Sequence, residues 1–558
     1  MITIKKHTTR SQSRRTAVAM ATTVLLGVYC LQASAAGIDV GNPDFSVRLD
    51  TQLRYNAGVR VEGRDTRISN NANFDEGDYK FNRGNLVTNR LDLLSELEVD
   101  YKQLYGFRVS GTAWYDQAYH NTSVVQNPAL ANLRSSYLNN QYSSLTQRYY
   151  GTSGEFLDAF VYSNFDVGSM PASVKFGRHS LYWGNAVFSS AGISYSQQPT
   201  DARKAVANPG VETRETFLPL TQLSGAIQIT DSVQLAGQYF LDWDHLRSPE
   251  GGTYLSGSDA TLEGPDRFGG STPFTRGTTL GPDKKRGNWG LSTKIAPYSW
   301  NGTTLGLYYR EFDEKNGLWL LRDPANPTQY RAVFPRNTKL IGASVDTTVG
   351  PVAVGGEVAV RQNAGLNSVS LSSANEGARG NVAHMSLNAV YGLTKNPLWD
   401  SGSLTAEITY DHLISVKNNQ QLFNGEDAVN PATGAKICPL GRMSGCATRN
   451  AVGIGVRFAP SWSQVLPSVD LTIPVSVLAG IRGNTADFGG TNQGQISYSI
   501  GAEFDIRKQW LITLTYADLK AKIIPNGATN ALGATYTGNG SWQTSDRGRL
   551  TLTAKTTF

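Results

Sequence analysis

The sequence predicts an all-β protein: a single antiparallel β-barrel that crosses a membrane with about eighteen strands, or sixteen as the alternative. Three observations predict it. The chain opens with a leader typical of bacterial export, and it continues in segments that alternate between apolar and polar residues. The links between these segments alternate between short and long.

The leader, residues 1–35, has the features of a signal peptide. An apolar run over residues 16–31 follows a cationic head, and the small residues Ala33, Ser34 and Ala35 stand where a signal peptidase cleaves. The run is too short to span a bilayer as a helix. We therefore expect residues 1–35 to be removed and residues 36–558 to form the barrel. The cationic head consists of Lys5, Lys6, Arg10, Arg14 and Arg15.

Removing the leader changes the charge balance of the chain. Its five Lys and Arg residues lower the Lys and Arg count from 51 to 46, against 45 Asp and Glu residues, none of which lies in the leader. Nucleic-acid binding needs a basic patch in the mature chain. We therefore expect no nucleic-acid partner.

Residues 44–62 show the alternation most clearly. Apolar and polar side chains fall on opposite faces over a length well beyond the ~5–6 residues of a typical globular strand. A soluble sandwich of this many such strands would need several cores, whereas a barrel needs only lipid on its apolar face. The apolar face comprises Phe45, Val47, Leu49, Leu53, Tyr55, Ala57, Val59 and Val61. The polar face comprises Ser46, Arg48, Asp50, Gln52, Arg54, Asn56 and Arg60.

Similar segments recur to the end of the chain. They lie near residues 44–62, 85–101, 104–118, 155–167, 171–180, 220–230, 232–244, 286–296, 302–313, 337–349, 351–361, 380–392, 401–413, 450–461, 466–480, 493–505, 508–521 and 545–558. Short links on one rim and long links on the other are typical of outer-membrane barrels, whose short turns are periplasmic and whose long loops are extracellular. Both termini then lie in the periplasm, which requires an even number of strands.

The last segment resembles the signal that the outer-membrane barrel assembly machinery reads. Leu550, Leu552, Ala554 and Thr556 alternate with polar residues, and the chain stops on Phe558. A chain of this kind is expected in the bacterial outer membrane, with the assembly machinery and outer-membrane lipid as partners. A barrel strand begins almost directly after the leader, which argues against a receptor with an N-terminal plug.

Several stretches together resemble the proteobacterial outer-membrane family called domain of unknown function 1302. They are Asn73-Phe74-Asp75-Glu76-Gly77-Asp78, Gly177-Arg178-His179-Ser180-Leu181-Tyr182-Trp183-Gly184, and residues 85–97, 157–161, 209–212 and 236–241. The resemblance implies a barrel that acts with a periplasmic lipoprotein-carrier-like protein and an efflux-type inner-membrane transporter. It implies traffic in hydrophobic or amphipathic molecules, and it transfers no catalytic residue.

The alternation places two kinds of side chain on the inward face. Charged residues of both signs suit either a selectivity surface or simply the polar wall of a water-filled barrel, and the second interpretation is preferred. Aromatic residues suit either a path for aromatic or lipid-like solutes or a surface that packs an inserted loop. The charged set is Arg48, Arg54, Arg60, Arg90, Asp92, Glu96, Glu98 and Arg108. The aromatic set is Trp114, Phe160, Tyr162, Phe240 and Tyr308.

One long link is a candidate for the inserted loop. Residues 186–218 contain a predicted helical turn at 199–205, which Asn208, Pro209 and Gly210 end. Long loops in compact architectures tend to be functional. We predict that this segment folds into the lumen and narrows or gates it.

Arg178 breaks the alternation, because Val174 and Phe176 place it on the lipid face. An Arg at the bilayer midplane of a barrel costs roughly 2–4 kcal/mol. A bulge at Gly177 would turn Arg178 inward, so we predict one there and count Arg178 among the lining residues.

The remaining signals are weaker. Cys438 and Cys446 lie in a long loop of an exported chain, where a local disulfide is expected. Residues 70–78 are rich in oxygen ligands and could hold calcium, although a solvated turn is the commoner explanation. No cofactor motif occurs in the sequence.

Three functions follow from these observations. The leading one is a channel or gated transporter that passes hydrophobic, aromatic or amphipathic small molecules, and no enzyme activity is expected. The second is a receptor or docking platform for a periplasmic or efflux-type partner. The third is an outer-membrane hydrolase, for which His412 and the adjacent Asp411 near a rim are the candidates.

Overall fold

The computed structural model describes residues 36–208, 210–271 and 274–558, so the predicted signal peptide lies outside the described residues. The barrel strands are β2 (Phe45–Arg60), β3 (Leu86–Tyr101), β4 (Tyr105–Asp116), β5 (Thr152–Val167), β6 (Met170–His179), β7 (Leu220–Thr230), β8 (Val233–Phe240), β10 (Trp289–Ile295), β11 (Thr304–Phe312), β14 (Thr338–Val349), β15 (Val352–Gly365), β16 (Arg379–Leu393), β17 (Ser401–Asn418), β18 (Asn450–Leu466), β19 (Val469–Thr472), β20 (Val475–Arg482), β21 (Ile496–Ile506), β22 (Trp510–Lys520) and β25 (Arg549–Thr557).

The other elements are short. The remaining strands are β1 (Ala36–Ile38), β9 (Thr275–Arg276), β12 (Trp319–Asp323), β13 (Asn326–Val333), β23 (Ile523–Asn530) and β24 (Gly533–Gly538). The helices are α1 (Thr66–Ser69), α2 (Asp75–Tyr79), α3 (Ser144–Tyr150), α4 (Ala202–Ala207) and α5 (Thr213–Thr216). In the part of the chain that the structure describes, no helix is both long and apolar enough to cross a membrane.

The antiparallel sheet closes on itself. The last strand, β25, pairs with β22 on one side and with β2 on the other, where Gln52 lies opposite Thr557 and Arg60 opposite Arg549. Strands β19 and β20 both pair with β18 and β21, so they are two parts of one strand that breaks at Ile473 and Pro474. The barrel therefore has eighteen strands, which confirms the preferred count and excludes sixteen.

The two faces of each strand have opposite burial. On β2, Arg54 and Arg60 are 1% and 0% exposed, whereas Leu49 on the other face is 38% exposed. Apolar side chains such as Leu93 and Phe107 continue this exposed outer face on β3 and β4. Charged groups inside and apolar groups outside are the reverse of a soluble protein, because the exterior is solvated by lipid. The chain is a bacterial outer-membrane β-barrel.

Short and long links alternate as predicted. The short turns are residues 102–104, 168–169, 231–232, 296–303, 350–351, 394–400, 467–468 and 507–509. The long loops are residues 61–85, 117–151, 180–219, 241–288, 313–337, 366–378, 419–449, 483–495 and 521–548. Several strands, among them β15, β17 and β18, extend beyond the predicted segments because their pairing continues past the alternating part of the sequence.

The long loops pack together into a layer with its own core. Phe81, Tyr119, Tyr137, Tyr142 and Tyr254 form one buried aromatic cluster drawn from three loops. Tyr137 and Tyr142 also donate hydrogen bonds to the carbonyls of Gly251 and Gly252, at 2.7 Å each. The loop layer is therefore a folded cap over one rim.

The prediction of a bulge at Gly177 is wrong. Pairing with β5 and with β7 passes through Gly177 without a shift in register. Gly177 has φ +126°, and a Cβ there would lie 2.4 Å from the carbonyl oxygen of Ala159, so close strand approach explains this glycine. The extra residue lies instead on β5, where Leu157 and Asp158 stand opposite Ser110 of β4.

Candidate functional site

Segment 186–218, most of the link between β6 and β7, contains two short helices. The carboxylate of Asp201 accepts a hydrogen bond from the backbone N–H of Lys204 at 3.3 Å and so caps α4. At the start of α5, the side chain of Glu215 accepts one from the N–H of Glu212 at 3.2 Å. Local capping thus accounts for both helices.

The first half of the segment, residues 186–198, is held by its backbone. The carboxylate of Glu407 on β17 accepts hydrogen bonds from the N–H groups of Val187, Phe188 and Ser189 at 2.6, 3.2 and 2.6 Å. The carboxylate of Glu357 on β15 accepts one from Ile193 at 3.0 Å. Because these buried wall carboxylates bind backbone N–H groups, they fix the course of this half independently of its side chains.

Guanidinium groups hold carbonyls of the same half. Arg310 on β11 donates to the carbonyl oxygens of Ile193 and Tyr195 at 2.8 and 2.7 Å, and Arg361 on β15 donates to Ala191 at 3.3 Å. The Arg361 guanidinium also lies 3.8 Å from the centre of the Tyr195 ring. Donors and acceptors of the wall thus alternate along the first half.

The second half, residues 199–218, is held by ion pairs to the opposite wall. The ammonium of Lys204 lies 2.7 Å from Glu155 on β5, and Arg214 lies 2.7 Å from Glu96 on β3. Glu215 binds Arg54 on β2 through two hydrogen bonds of 2.7 and 3.1 Å. The segment therefore contacts inward-facing residues on both sides of the barrel.

Open space remains between segment 186–218 and one part of the wall. One cavity of about 1480 Å³ lies between Ala205, Val206 and residues of β20, β21 and β22. A second, of about 700 Å³, lies between residues 188–190 and β17, β18 and β20. Both are open to solvent and share Leu478 and Ser497, so they adjoin.

The charged wall residues predicted from sequence fall into two groups. Arg54, Arg60, Arg90, Asp92 and Glu96 are buried in contacts with the segment, with the loop layer or with one another. Arg60, for example, lies 2.6 Å from Asp78 of α2. The second group lies toward the short-turn rim and stays open to water: Arg48 and Arg108 each lie 2.9 Å from Glu98.

The predicted aromatic residues also divide. Tyr308 packs against Trp183 of loop 180–219, with ring centres 6.1 Å apart. Phe240 lies 4.9 Å from the ammonium of Lys315 in loop 313–337, so both aromatic residues contact the long loops. Phe160 lies 5.4 Å from the ammonium of Lys175, and the Tyr162 hydroxyl donates to Asp100 at 2.6 Å. Trp114, by contrast, borders an internal pocket.

Arg178 and the cysteine pair are two further predictions from the sequence. Arg178 is half-buried opposite Ala159 and Thr221, within electrostatic reach of Asp158, and its lining role stays a prediction. Cys438 and Cys446 are joined by a disulfide with Cα atoms 5.9 Å apart.

His412 and Asp411 do not form a pair. The Asp411 carboxylate is buried and lies 2.6 Å from His384, whereas His412 is on the other face of β17, 2.7 Å from Asn450. The structure therefore does not bring together the pair on which the hydrolase alternative depends.

The acidic side chains of residues 70–78 are engaged in contacts within the loop layer. Asp75 accepts a hydrogen bond from the N–H of Asn127 at 2.7 Å, Glu76 from that of Ser136 at 2.8 Å, and Asp78 pairs with Arg60. Among the described residues, no group of acidic, His or Cys side chains has an arrangement suited to a metal ion.

Sequence reasoning missed the residues that anchor the segment. Glu357, Glu407, Arg310 and Arg361 were not singled out, although each is a charged residue that is buried on the inward face of its strand. A charge that the alternation places on the inward face is the signal that could have found them, because a buried charge needs a partner.

Comparisons with known proteins place the chain in a family. The family described as "Protein of unknown function (DUF1302)" matches residues 16–558, so the chain belongs to it, as its sequence motifs indicated. No curated protein matches the chain by sequence.

Several solved structures have a similar fold. OpdK of Pseudomonas aeruginosa, crystallised with vanillate, is 9% identical, with a TM-score of 0.42 over 92% of this chain and 98% of that one. OccAB1 of Acinetobacter baumannii is 9% identical, with a TM-score of 0.42 over 94% and 99%. The outer-membrane channel DcaP of the same species is 12% identical, with a TM-score of 0.34 over 94% and 100%.

Proposed function

We propose that this member of the DUF1302 family is an outer-membrane channel for hydrophobic, aromatic or amphipathic small molecules, and that segment 186–218 narrows its lumen. One observation carries the proposal. The segment is tied to both sides of the wall, yet it leaves two adjoining cavities along β17–β22. A barrel of about eighteen strands is wide enough for an aqueous channel unless a loop fills it.

The lining of these cavities supports the solute class. Phe188 and Leu478 border the smaller cavity, and Leu255, Leu478 and Tyr498 border the larger. Apolar and aromatic surface favours ligands that themselves carry apolar surface, since contact removes that surface from water. Polar groups, among them Glu407, Asp411 and Asp518, border the same cavities, so the mixed lining suits solutes that carry both apolar and polar surface.

Conductance in planar bilayers tests the channel. We expect the full-length mature chain to conduct, and we expect a variant whose residues 186–218 are replaced by a short Gly-Ser linker to conduct several-fold more, because the narrowing is gone. A matched control shortens the β23–β24 hairpin, which lies in the loop layer outside the lumen. That control is expected to leave conductance unchanged.

Two outcomes would contradict the proposal. Equal conductance with and without the segment would show that it does not narrow the lumen. An absence of conductance in both forms, with the barrel shown to be folded by its circular dichroism, would favour the docking platform. The carrier-like and efflux-type partners implied by the family resemblance remain part of the proposal as the source or destination of the solute.

A further inference from the structure

A pocket between segment 186–218, the barrel wall and the loop layer combines aromatic rings with cations. It contains about 620 Å³ of empty space, including its open mouth. Helix α4 forms one side, β3, β4 and β25 form another, and the loops around α3 and Tyr254 cover it. The lining side chains with rings or charges are Arg90, Trp114, Asp116, Tyr119, Tyr149, Tyr150, Arg203, Lys204, Tyr254 and Arg549.

The charges on this lining are strongly unequal. Four of the side chains are cationic, and Asp116 is the one carboxylate among the lining residues that the structure describes. The Asp116 oxygens are already used, since they accept hydrogen bonds of 2.9 Å from Thr88, Asn89 and Ala118. No lining carboxylate is left to receive a cationic ligand.

Some lining cations are neutralised from outside the pocket, and one is not. Arg203 is paired with Asp201 at 2.6 Å, and Lys204 with Glu155 at 2.7 Å. Arg549 donates to the backbone carbonyl of Val206, and among the described residues it has no carboxylate within ion-pair distance. The pocket therefore contains a guanidinium without a counter-ion.

The unpartnered polar atoms of the lining are all hydrogen donors. Among the described lining side chains, three buried polar atoms have no hydrogen-bond partner: Trp114 Nε1, Arg203 Nη1 and Arg549 Nε. Trp114 and Arg203 are 4% and 6% exposed, so water does not readily substitute for the missing acceptor. Unpartnered donors of one kind indicate that an acceptor with several oxygen atoms belongs there.

The rings define the rest of the ligand. Tyr149 already carries the guanidinium of Arg203 at 3.6 Å from its centre, and Trp114 has Arg90 and Lys204 each at 5.1 Å. These cations occupy the ring faces and would repel another cation. The remaining ring surface favours a flat apolar body in edge or offset contact.

We propose that this pocket is a binding site for a small aromatic oxyanion, with a benzoate-like carboxylate as the simplest member. The oxyanion accepts hydrogen bonds from Trp114, Arg203 and Arg549, and its ring packs among the tyrosines. Pro249, Leu255 and Arg549 border both this pocket and the larger cavity along β20–β22, so a bound anion lies beside that cavity. The inference rests on the proposed channel for its role in transport, but not for binding.

Isothermal titration calorimetry on the purified full-length mature chain in detergent tests the site without a membrane. We expect sodium benzoate to bind saturably. Benzyl alcohol lacks the charged acceptor and benzylamine carries the opposite charge, so each is expected to bind at least roughly ten-fold more weakly, since a hydrogen bond to a charged acceptor has this effect. Acetate keeps the carboxylate but lacks the ring, so it is also expected to bind more weakly, because it removes less apolar surface from water.

Two variants locate the site. Trp114→Phe keeps a ring and removes only the indole N–H, and Arg549→Gln removes the unpaired charge, so each should weaken benzoate binding roughly ten-fold. Arg549→Lys should recover part of the affinity. Trp243→Phe is the matched control, because Trp243 also has a buried, unpartnered Nε1 but lies in the loop layer beside Phe334, outside the pocket.

Equal binding of benzoate and benzyl alcohol would overturn the proposal, and so would unchanged benzoate affinity in both Trp114→Phe and Arg549→Gln. A chain that conducts in bilayers yet binds no benzoate would overturn this inference and leave the channel standing. A chain that binds benzoate but does not conduct would overturn the proposed channel and leave this inference standing.

Discussion

The two halves of segment 186–218 are held against the barrel wall by different chemistry. The first half gives its backbone to wall side chains, so that Glu407 alone accepts three N–H groups. The second half gives charged side chains, one for each partner, as in the pair of Glu215 with Arg54. The wall therefore determines the course of the first half, whereas the segment's own sequence determines the course of the second.

Breaking the buried ion pair of the second half should have the largest effect. Arg54→Met leaves Glu215 buried without its partner, since the two side chains are 1% and 0% exposed. Removing one partner of a buried pair costs about 3–5 kcal/mol. Hydrogen exchange should therefore accelerate over residues 201–217 and stay unchanged over residues 187–195.

The double variant Arg54→Met with Glu215→Leu is the control for this prediction. It removes both charges, so it should be less destabilised than Arg54→Met alone. Acceleration spread evenly over the whole segment would refute the division into two halves.

Removing the carboxylate that binds the first half should have the next largest effect. Glu407→Ala leaves the N–H groups of Val187, Phe188 and Ser189 without an acceptor, and each such loss costs about 1–3 kcal/mol where the group stays buried. Limited proteolysis should then cut near residues 187–189. The Val187→Ala variant should be cut no faster than the unsubstituted chain, because the contact of Val187 with Glu407 uses the backbone N–H and the Val187 side chain is exposed. Faster cutting of that variant would show that the side chain matters.

The loop layer also contains buried carboxylates that accept backbone N–H groups, as Asp75 and Glu76 do from Asn127 and Ser136. Burial, together with neighbouring carboxylates, raises the pKa of Asp75 and of Glu76 to about 8, and burial raises the pKa of Asp259 to about 6. A raised pKa means that the folded layer binds protons more tightly than the unfolded chain. Its stabilisation is therefore complete below the ordinary carboxyl pKa and is lost as pH rises through about 6–8.

Hydrogen exchange of loops 61–85 and 241–288 at pH 5.5 and pH 8.5 measures this effect. Exchange, corrected for its intrinsic pH dependence, should be faster at pH 8.5. Glu76→Gln should reduce the difference, because it removes one of the titrating groups. Corrected exchange that slows at the higher pH would contradict the prediction.

The smallest effect is expected at an ion pair outside the lumen. Lys102 lies 3.1 Å from Asp44 at the short-turn rim, where both side chains are largely exposed. Exposed pairs contribute little because water and salt screen them. Lys102→Met should leave the thermal unfolding midpoint unchanged, and a clear decrease would show that rim pairs matter as much as buried ones.

Much of the architecture could be predicted from the sequence. Alternation with a period of two depends on each residue and its near neighbours, so Arg54 and Leu49 could be placed on opposite faces, and the strand count followed from the links. The prediction of a bulge at Gly177 was wrong because a glycine in a strand has two explanations, an extra residue or a close approach of the neighbouring strand. These two explanations differ only in the pairing with that strand, which the sequence does not show.

The candidate site was only partly predictable. The helical turn near residues 199–205 follows from local capping by Asp201, and the position of Trp114 on the inward face follows from alternation. The three unpartnered donors could not be found this way, because whether Trp114, Arg203 and Arg549 have acceptors depends on loops far away in the chain.

The sequence by itself determined the barrel and its inside and outside, because these depend on local alternation, and its link lengths predict which rim faces the periplasm. Only the tertiary structure decided which wall residues hold segment 186–218. Glu407 meets Val187 across a separation of 220 residues, and Arg54 meets Glu215 across 161. Contacts of that kind form only after the sheet has closed, so neither composition nor periodicity records them.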